Sequence, residues 1–133
     1  MTTLPAMLGA MTAILQSHPL CERTAIVETK EFSPDQFYFK VRADLSKGYG
    51  LQVRVYSNAG HVDYAYQLFR EDRPILRWDN KEEFRSLKTY PHHHHDDRGN
   101  VLLSPLAGNP QEDIVLVLGE IEKHLQKQGI RFD

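Results

Sequence analysis

Between Phe37 and Trp78, apolar side chains recur at every second position in successive runs, and turn-forming residues separate the runs. Phe37, Phe39, Val41 and Ala43 alternate with Tyr38, Lys40, Arg42 and Asp44. Leu51, Val53 and Val55 alternate with Gln52, Arg54 and Tyr56; Val62, Tyr64, Tyr66 and Leu68 form the next set, and Leu76 and Trp78 the last. Neighbouring side chains of a strand point to opposite faces, so this pattern demands a sheet with one buried face. Ser33-Pro34-Asp35, Lys47-Gly48, Ser57-Asn58-Ala59-Gly60 and Glu71-Asp72-Arg73-Pro74 supply the turns. With a further strand around Ala25 and Val27, the expectation is a five-stranded antiparallel meander.

Register follows from matching faces. A two-residue loop at Asn58-Ala59 sets Tyr56 opposite His61, Arg54 opposite Asp63 and Val53 opposite Tyr64. A three-residue loop at Glu71–Arg73 pairs Leu68 with Leu76, Gln67 with Arg77 and Tyr66 with Trp78, so large apolar residues meet across strands. One face then carries Leu51, Val53, Val55, Val62, Tyr64, Tyr66, Leu68, Leu76 and Trp78. The other carries Arg54, Tyr56, His61, Asp63, Gln67, Arg77 and Asp79. A one-residue slip would mix the two sets.

Helical spacing appears only at the ends. Leu4, Leu8, Met11, Ile14 and Leu15 predict a short amphipathic helix over Leu4–Ser17, bounded by Pro5 and Pro19. A second helix begins at Asn109-Pro110, with Glu112 at capping-box spacing and Glu112 and Asp113 at the positive end of its dipole. Ile114, Val117, Leu118, Ile121 and Leu125 form its apolar stripe, and Gly129 ends it. The fold class is therefore α+β, with an N-terminal and a C-terminal helix packed on one sheet face. A length of 133 residues, 41% hydrophobic and 26% charged, suits a single domain over 1–133. Between Asn80 and Gly108 there is no clear periodicity: Lys81–Arg85 suggests a helical turn, and Val101-Leu102-Leu103 a short strand or a buried anchor.

Composition narrows the surroundings. A net charge of −2 gives no whole-chain footprint for nucleic acid. The lone Cys21 cannot form an intrachain disulfide and points to a reducing compartment; it reads as a small apolar residue. The first residues lack the charged and apolar regions of a secretory signal, and no run approaches the ~20 apolar residues of a membrane span. A cytoplasmic protein is expected.

The chemistry-bearing residues cluster late in the chain. His92, His93, His94 and His95 lie between Pro91 and Asp96-Asp97. A histidine can move a proton near neutral pH, and an arginine beside it can stabilise a phosphorane-like transition state. Imidazole and carboxylate also suit transition metals, with His93 and His95 on alternate positions and His61 or Asp79 as a third ligand. The plainer possibility is a loop whose histidines cap backbone groups or pack on aromatics. Arg77 and Trp78 should face opposite sides, leaving the guanidinium free to grip phosphate and Asp79 to orient a histidine. An ion pair followed by an Asx turn at Asp79-Asn80 accounts for the same residues. Dinucleotide, P-loop, nucleophile-elbow, HExxH and paired CxxC motifs are absent from the sequence.

Tyr64-Ala65-Tyr66-Gln67, Arg77-Trp78-Asp79-Asn80 and Tyr90-Pro91-His92-His93-His94-His95, followed by Gly119-Glu120-Ile121-Glu122 in the last helix, resemble a bacterial family. The chain is similar to the TumE-type toxins of toxin–antitoxin modules over roughly Leu51–Gln126. Tyr90 stands where that family often has Phe, and His94 where Lys or Arg is common. The resemblance implies a small cytoplasmic toxin paired with a helix-turn-helix antitoxin, and RNA cleavage as its activity. It carries over Tyr64, Tyr66, Arg77, Asp79, His92, His93 and His95 as catalytic residues and Asn80 as a binding residue. Arg54 and His61 on the polar sheet face are further binding candidates. Metal-independent cleavage would use one histidine as base, another as acid and Arg77 on the scissile phosphate, with no cofactor. The alternative is a non-enzymatic module whose polar sheet face docks a partner protein or ligand. Oligomeric state is left open, a homodimer included.

Overall fold

The computed structural model describes residues 2–130. Seven strands form one antiparallel sheet in chain order: β1 (Arg23–Ser33), β2 (Gln36–Asp44), β3 (Tyr49–Asn58), β4 (His61–Arg70), β5 (Arg73–Asp79), β6 (His93–His95) and β7 (Val101–Leu103). The meander is as expected, but there are seven strands rather than five. The two additional ones are three residues long and lie in the segment without periodicity.

The β3–β4 and β4–β5 hairpins each use two central residues at positive φ. Ala59 (50°) and Gly60 (88°) turn β3 into β4, and Glu71 (49°) and Asp72 (67°) turn β4 into β5. Such turns match the right-handed twist of the strands they join. The first one moves the turn one residue beyond Asn58-Ala59. Asn58 therefore meets His61, Tyr56 meets Asp63 and Val53 meets Tyr66. This register differs by two positions from the expected one, so every residue keeps its face while its partner changes. In the second hairpin the expected pairs Tyr66–Trp78, Gln67–Arg77 and Leu68–Leu76 are present. A bulge after Leu68 absorbs one residue, which is how a two-residue turn replaces the three-residue loop.

Helices α1 (Leu4–Ser17) and α2 (Pro110–Lys127) cover the apolar face. Thr3 caps α1 through its hydroxyl. Asn109 caps α2, its side-chain oxygen accepting from the amides of Gln111 and Glu112. Gly129 takes the left-handed conformation just past the helix end. Met11 and Leu15 of α1 and Ile114, Val117, Leu118, Ile121 and Leu125 of α2 bury completely against Phe37, Phe39, Val41, Leu51, Val53, Val55, Tyr66, Leu68 and Trp78. Lys81–Arg85 is irregular rather than helical, because the chain there bridges the end of β5 and β6. Among the described residues, no helix is long and apolar enough to cross a membrane.

Candidate functional site

The site is built by strand alternation. β6 runs antiparallel to β5, pairing His95 with Arg77, His94 with Trp78 and His93 with Asp79. Directly opposed residues share a face. His93 and His95 therefore join Arg77 and Asp79 on the face the helices leave open. His94 joins Trp78 on the helix side, its ring stacked on the indole at 4.7 Å and its Nδ1 3.1 Å from the Arg77 carbonyl. His92 also turns to the helix side, where its Nδ1 lies 2.7 Å from the Tyr64 hydroxyl. Four consecutive imidazoles are thus dealt to two environments.

On the open face Asp79 is the hub. It is buried, and its Oδ2 accepts from Arg77 Nε at 2.7 Å while its Oδ1 accepts from the Lys81 amide at 3.0 Å. His95 Nε2 lies 3.8 Å from Oδ2. His93 is 1% exposed. Its Nδ1 donates to the Pro91 carbonyl at 3.1 Å, which assigns the ring proton to Nδ1 because a carbonyl only accepts. Its Nε2 stands 2.9 Å from Asp79 Oδ1, yet without hydrogen-bond alignment, and it has no other partner among the described residues. Phe84 packs its ring against the edges of His93 (4.8 Å) and His95 (6.0 Å).

Burial governs the imidazole charges. It holds His95 below its ordinary pKa, against an opposing pull from Asp79. It also lowers His92, opposed by Asp113, and His94, opposed first by its hydrogen bond to the Arg77 carbonyl and then by Glu120 and Asp96. These three rings favour the neutral form; in His95 that leaves a nitrogen lone pair for a proton or a metal ion, whereas the lone pair of His92 Nδ1 accepts from the Tyr64 hydroxyl. Among the described residues, the metal-ligating atoms of Asp79, His93 and His95 all lie within 4.8 Å of one another.

Beside this cluster the open face forms a groove of about 540 Å³, running from Arg77, Asp79 and Lys81 past Ala65 and Asp63 to Arg54, Tyr56 and Tyr38. A larger hollow of about 740 Å³ lies at the start of α2, lined by Asn109, Pro110, Gln111 and the Ala59-Gly60 turn; none of the histidines lines it.

The structure brings together Arg77, Asp79, His93 and His95. Arg54 lies in the adjoining groove, as does His61, which pairs with Asp63 at 3.2 Å. His61 sits four residues along β4 from Ala65, the residue opposite Asp79, so it is not part of the metal-ligating cluster. Tyr64 and Tyr66 lie on the opposite face in the core. Burial raises the pKa of both phenols well above the ordinary value, so they stay protonated. Asn80 acts as a strand extension: its Oδ1 accepts from the Tyr64 amide at 3.0 Å and its Nδ2 donates to the Val62 carbonyl at 2.7 Å. Sequence reasoning missed Phe84 and the Pro91 carbonyl. The only signal for Phe84 was a single aromatic residue inside a charged stretch.

A family model described as Toxin TumE matches residues 11–125, which takes in the second half of α1, every strand and most of α2. No curated protein and no solved structure matches. The match spans most of the chain, and the protein belongs to the TumE toxin family.

Proposed function

We propose that this toxin cleaves RNA at the open-face cluster, by proton transfer without a metal cofactor, and that a helix-turn-helix antitoxin restrains it. The observation that carries the reading is the meeting of Arg77, Asp79, His93 and His95 on one face beside an open groove. Phosphodiester cleavage needs a base for the 2′-hydroxyl proton and a cation for the charge growing on phosphate. His95, a third exposed and held below its usual pKa by burial, is the base. Arg77, 36% exposed, meets the phosphate through the guanidinium edge that Asp79 does not use. As His95 takes the proton, the 2′-oxygen bonds to phosphorus, the bond to the 5′-oxygen breaks, and that oxygen is protonated from solvent in the open groove. His93 is too buried to touch RNA. With Asp79 it is a positioning residue that holds Arg77 and His95 in register. RNA as the target puts the site of action in the cytoplasm, where an unpaired Cys21 is stable as a thiol.

The test is growth inhibition together with cleavage of RNA in chelator by purified protein. His95→Ala and Arg77→Ala should each lower cleavage by ~10²-fold or more and relieve growth inhibition, with the circular-dichroism spectrum unchanged. Full toxicity in both folded variants would refute the proposal and favour a non-enzymatic module acting through the groove.

A further inference from the structure

We propose that Asp79, His93 and His95 form a binding site for one divalent transition-metal ion, zinc being the probe of choice. The inference does not rest on the ribonuclease reading. It starts from the orphaned Nε2 of His93, a buried nitrogen 2.9 Å from a carboxylate oxygen with no hydrogen bond between them. With the ring proton on Nδ1, Nε2 bears a lone pair and so does Asp79 Oδ1. Two such atoms do not sit in contact in a protein interior without a cation.

The geometry distinguishes the kind of cation. A proton on Nε2 needs the oxygen on the nitrogen's lone-pair axis, and here it lies off that axis. A metal ion needs the opposite arrangement. It sits on the axis about 2.1 Å from nitrogen, with the oxygen to one side. Two ligands about 2.1 Å from one tetrahedral ion stand about 3.4 Å apart, so His93 Nε2 and Asp79 Oδ1, 2.9 Å apart, need separate by only about 0.5 Å to share it. His95, whose Nε2 is 3.8 Å from the other oxygen of the same carboxylate, supplies a third donor.

The supporting contacts are those that orient metal ligands. A histidine ligand donates its remote N–H to a carbonyl, as His93 does to Pro91, and a ligating carboxylate is itself hydrogen-bonded, as Asp79 is by the Lys81 amide and Arg77. The Arg77 guanidinium on Oδ2 opposes a second positive charge there and leaves Oδ1 as the oxygen for the ion. Two imidazoles and one carboxylate suit zinc, cobalt, nickel, copper or ferrous iron rather than magnesium or calcium. A bound ion takes the lone pairs that proton transfer needs, so zinc would switch off the activity proposed above.

A run of histidines chelates metal loosely wherever it lies, so the experiment must separate a built site from the run itself. Tag-free protein is stripped with chelator, equilibrated with zinc chloride, passed through a desalting column and analysed for metal; cobalt loading is followed by visible absorption. The expected result is one zinc per chain and a cobalt ligand-field band. His95→Ala should weaken binding at least ~10-fold. His94→Gln, altered on the opposite face, should leave it unchanged. Retention of less than a tenth of a zinc per chain would overturn the site, as would equal loss in both variants or no loss in His95→Ala. RNA cleavage in chelator scores the ribonuclease reading separately: protein that fails to cleave yet holds one zinc sinks that reading and leaves the site standing.

Discussion

Tyr64 and Tyr66 stand two residues apart on β4 with ring centroids 5.0 Å apart, yet their hydroxyls differ in kind. Tyr64, kept protonated by burial, donates to His92 Nδ1; the hydroxyl of Tyr66 is buried with no partner among the described residues. Removing the first leaves a partly buried nitrogen unpaired, whereas removing the second relieves an unsatisfied group. Tyr64→Phe should therefore destabilise the fold by about 1–2 kcal/mol and Tyr66→Phe should be neutral or stabilising, read from urea midpoints at constant slope. Cys21 offers a pH test. Burial pushes its thiol up to about 11, and only the thiolate is nucleophilic. At pH 8 its alkylation by iodoacetamide should run more than ~100-fold slower than that of a free cysteine and rise about tenfold per pH unit until pH nears 11.

At the scale of elements, the strands with apolar and polar residues in alternation were readable from sequence, because burial of one face writes a period of two into them. So were both helices, through Pro5 in the first turn of α1, the Asn109-Pro110 start of α2 and their apolar stripes. β6 was not. Its three residues are identical, so no contrast marks its faces, and what makes it a strand is the exposed edge of β5 waiting to be paired. β7 was half legible: of the two readings of Val101-Leu102-Leu103 the short strand is the one present, and the buried anchor is not, since Leu102 and Leu103 are apolar yet exposed at the sheet edge. The turn positions also escaped, since Ala59, Glu71 and Asp72 adopt positive φ without being glycine. For the site, Arg77, Asp79, His93 and His95 were legible as candidates. Their separation from His92, His94, Tyr64 and Tyr66 required the pairing of β6 with β5. That separation has its own prediction. His94→Ala should cost about 0.5–1.5 kcal/mol of stability through its lost stack on Trp78, with RNA cleavage intact, whereas His95→Ala should do the reverse. Thermal melts beside cleavage assays would expose a failure of this division if both variants moved the same quantity.

For the whole molecule, the governing fact is that each strand pairs with the next in the chain, so most contacts are local and the sheet can grow by addition from β1. The cover of that sheet does not grow the same way. α1 is made first, but Ile114, Val117, Leu118, Ile121 and Leu125, all fully buried, arrive last on α2, after every residue of the cluster. Asp113 then fastens the loop before α2 by accepting from the amides of Ala107 and Gly108 at 3.1 and 2.8 Å. A chain stopped before Pro110 leaves in water the part of the apolar sheet face that α2 covers, and it should prove insoluble and harmless on expression. For the self-directed toxin proposed above, this order would be a safeguard: the cluster lacks half of its supporting layer until α2 has been made.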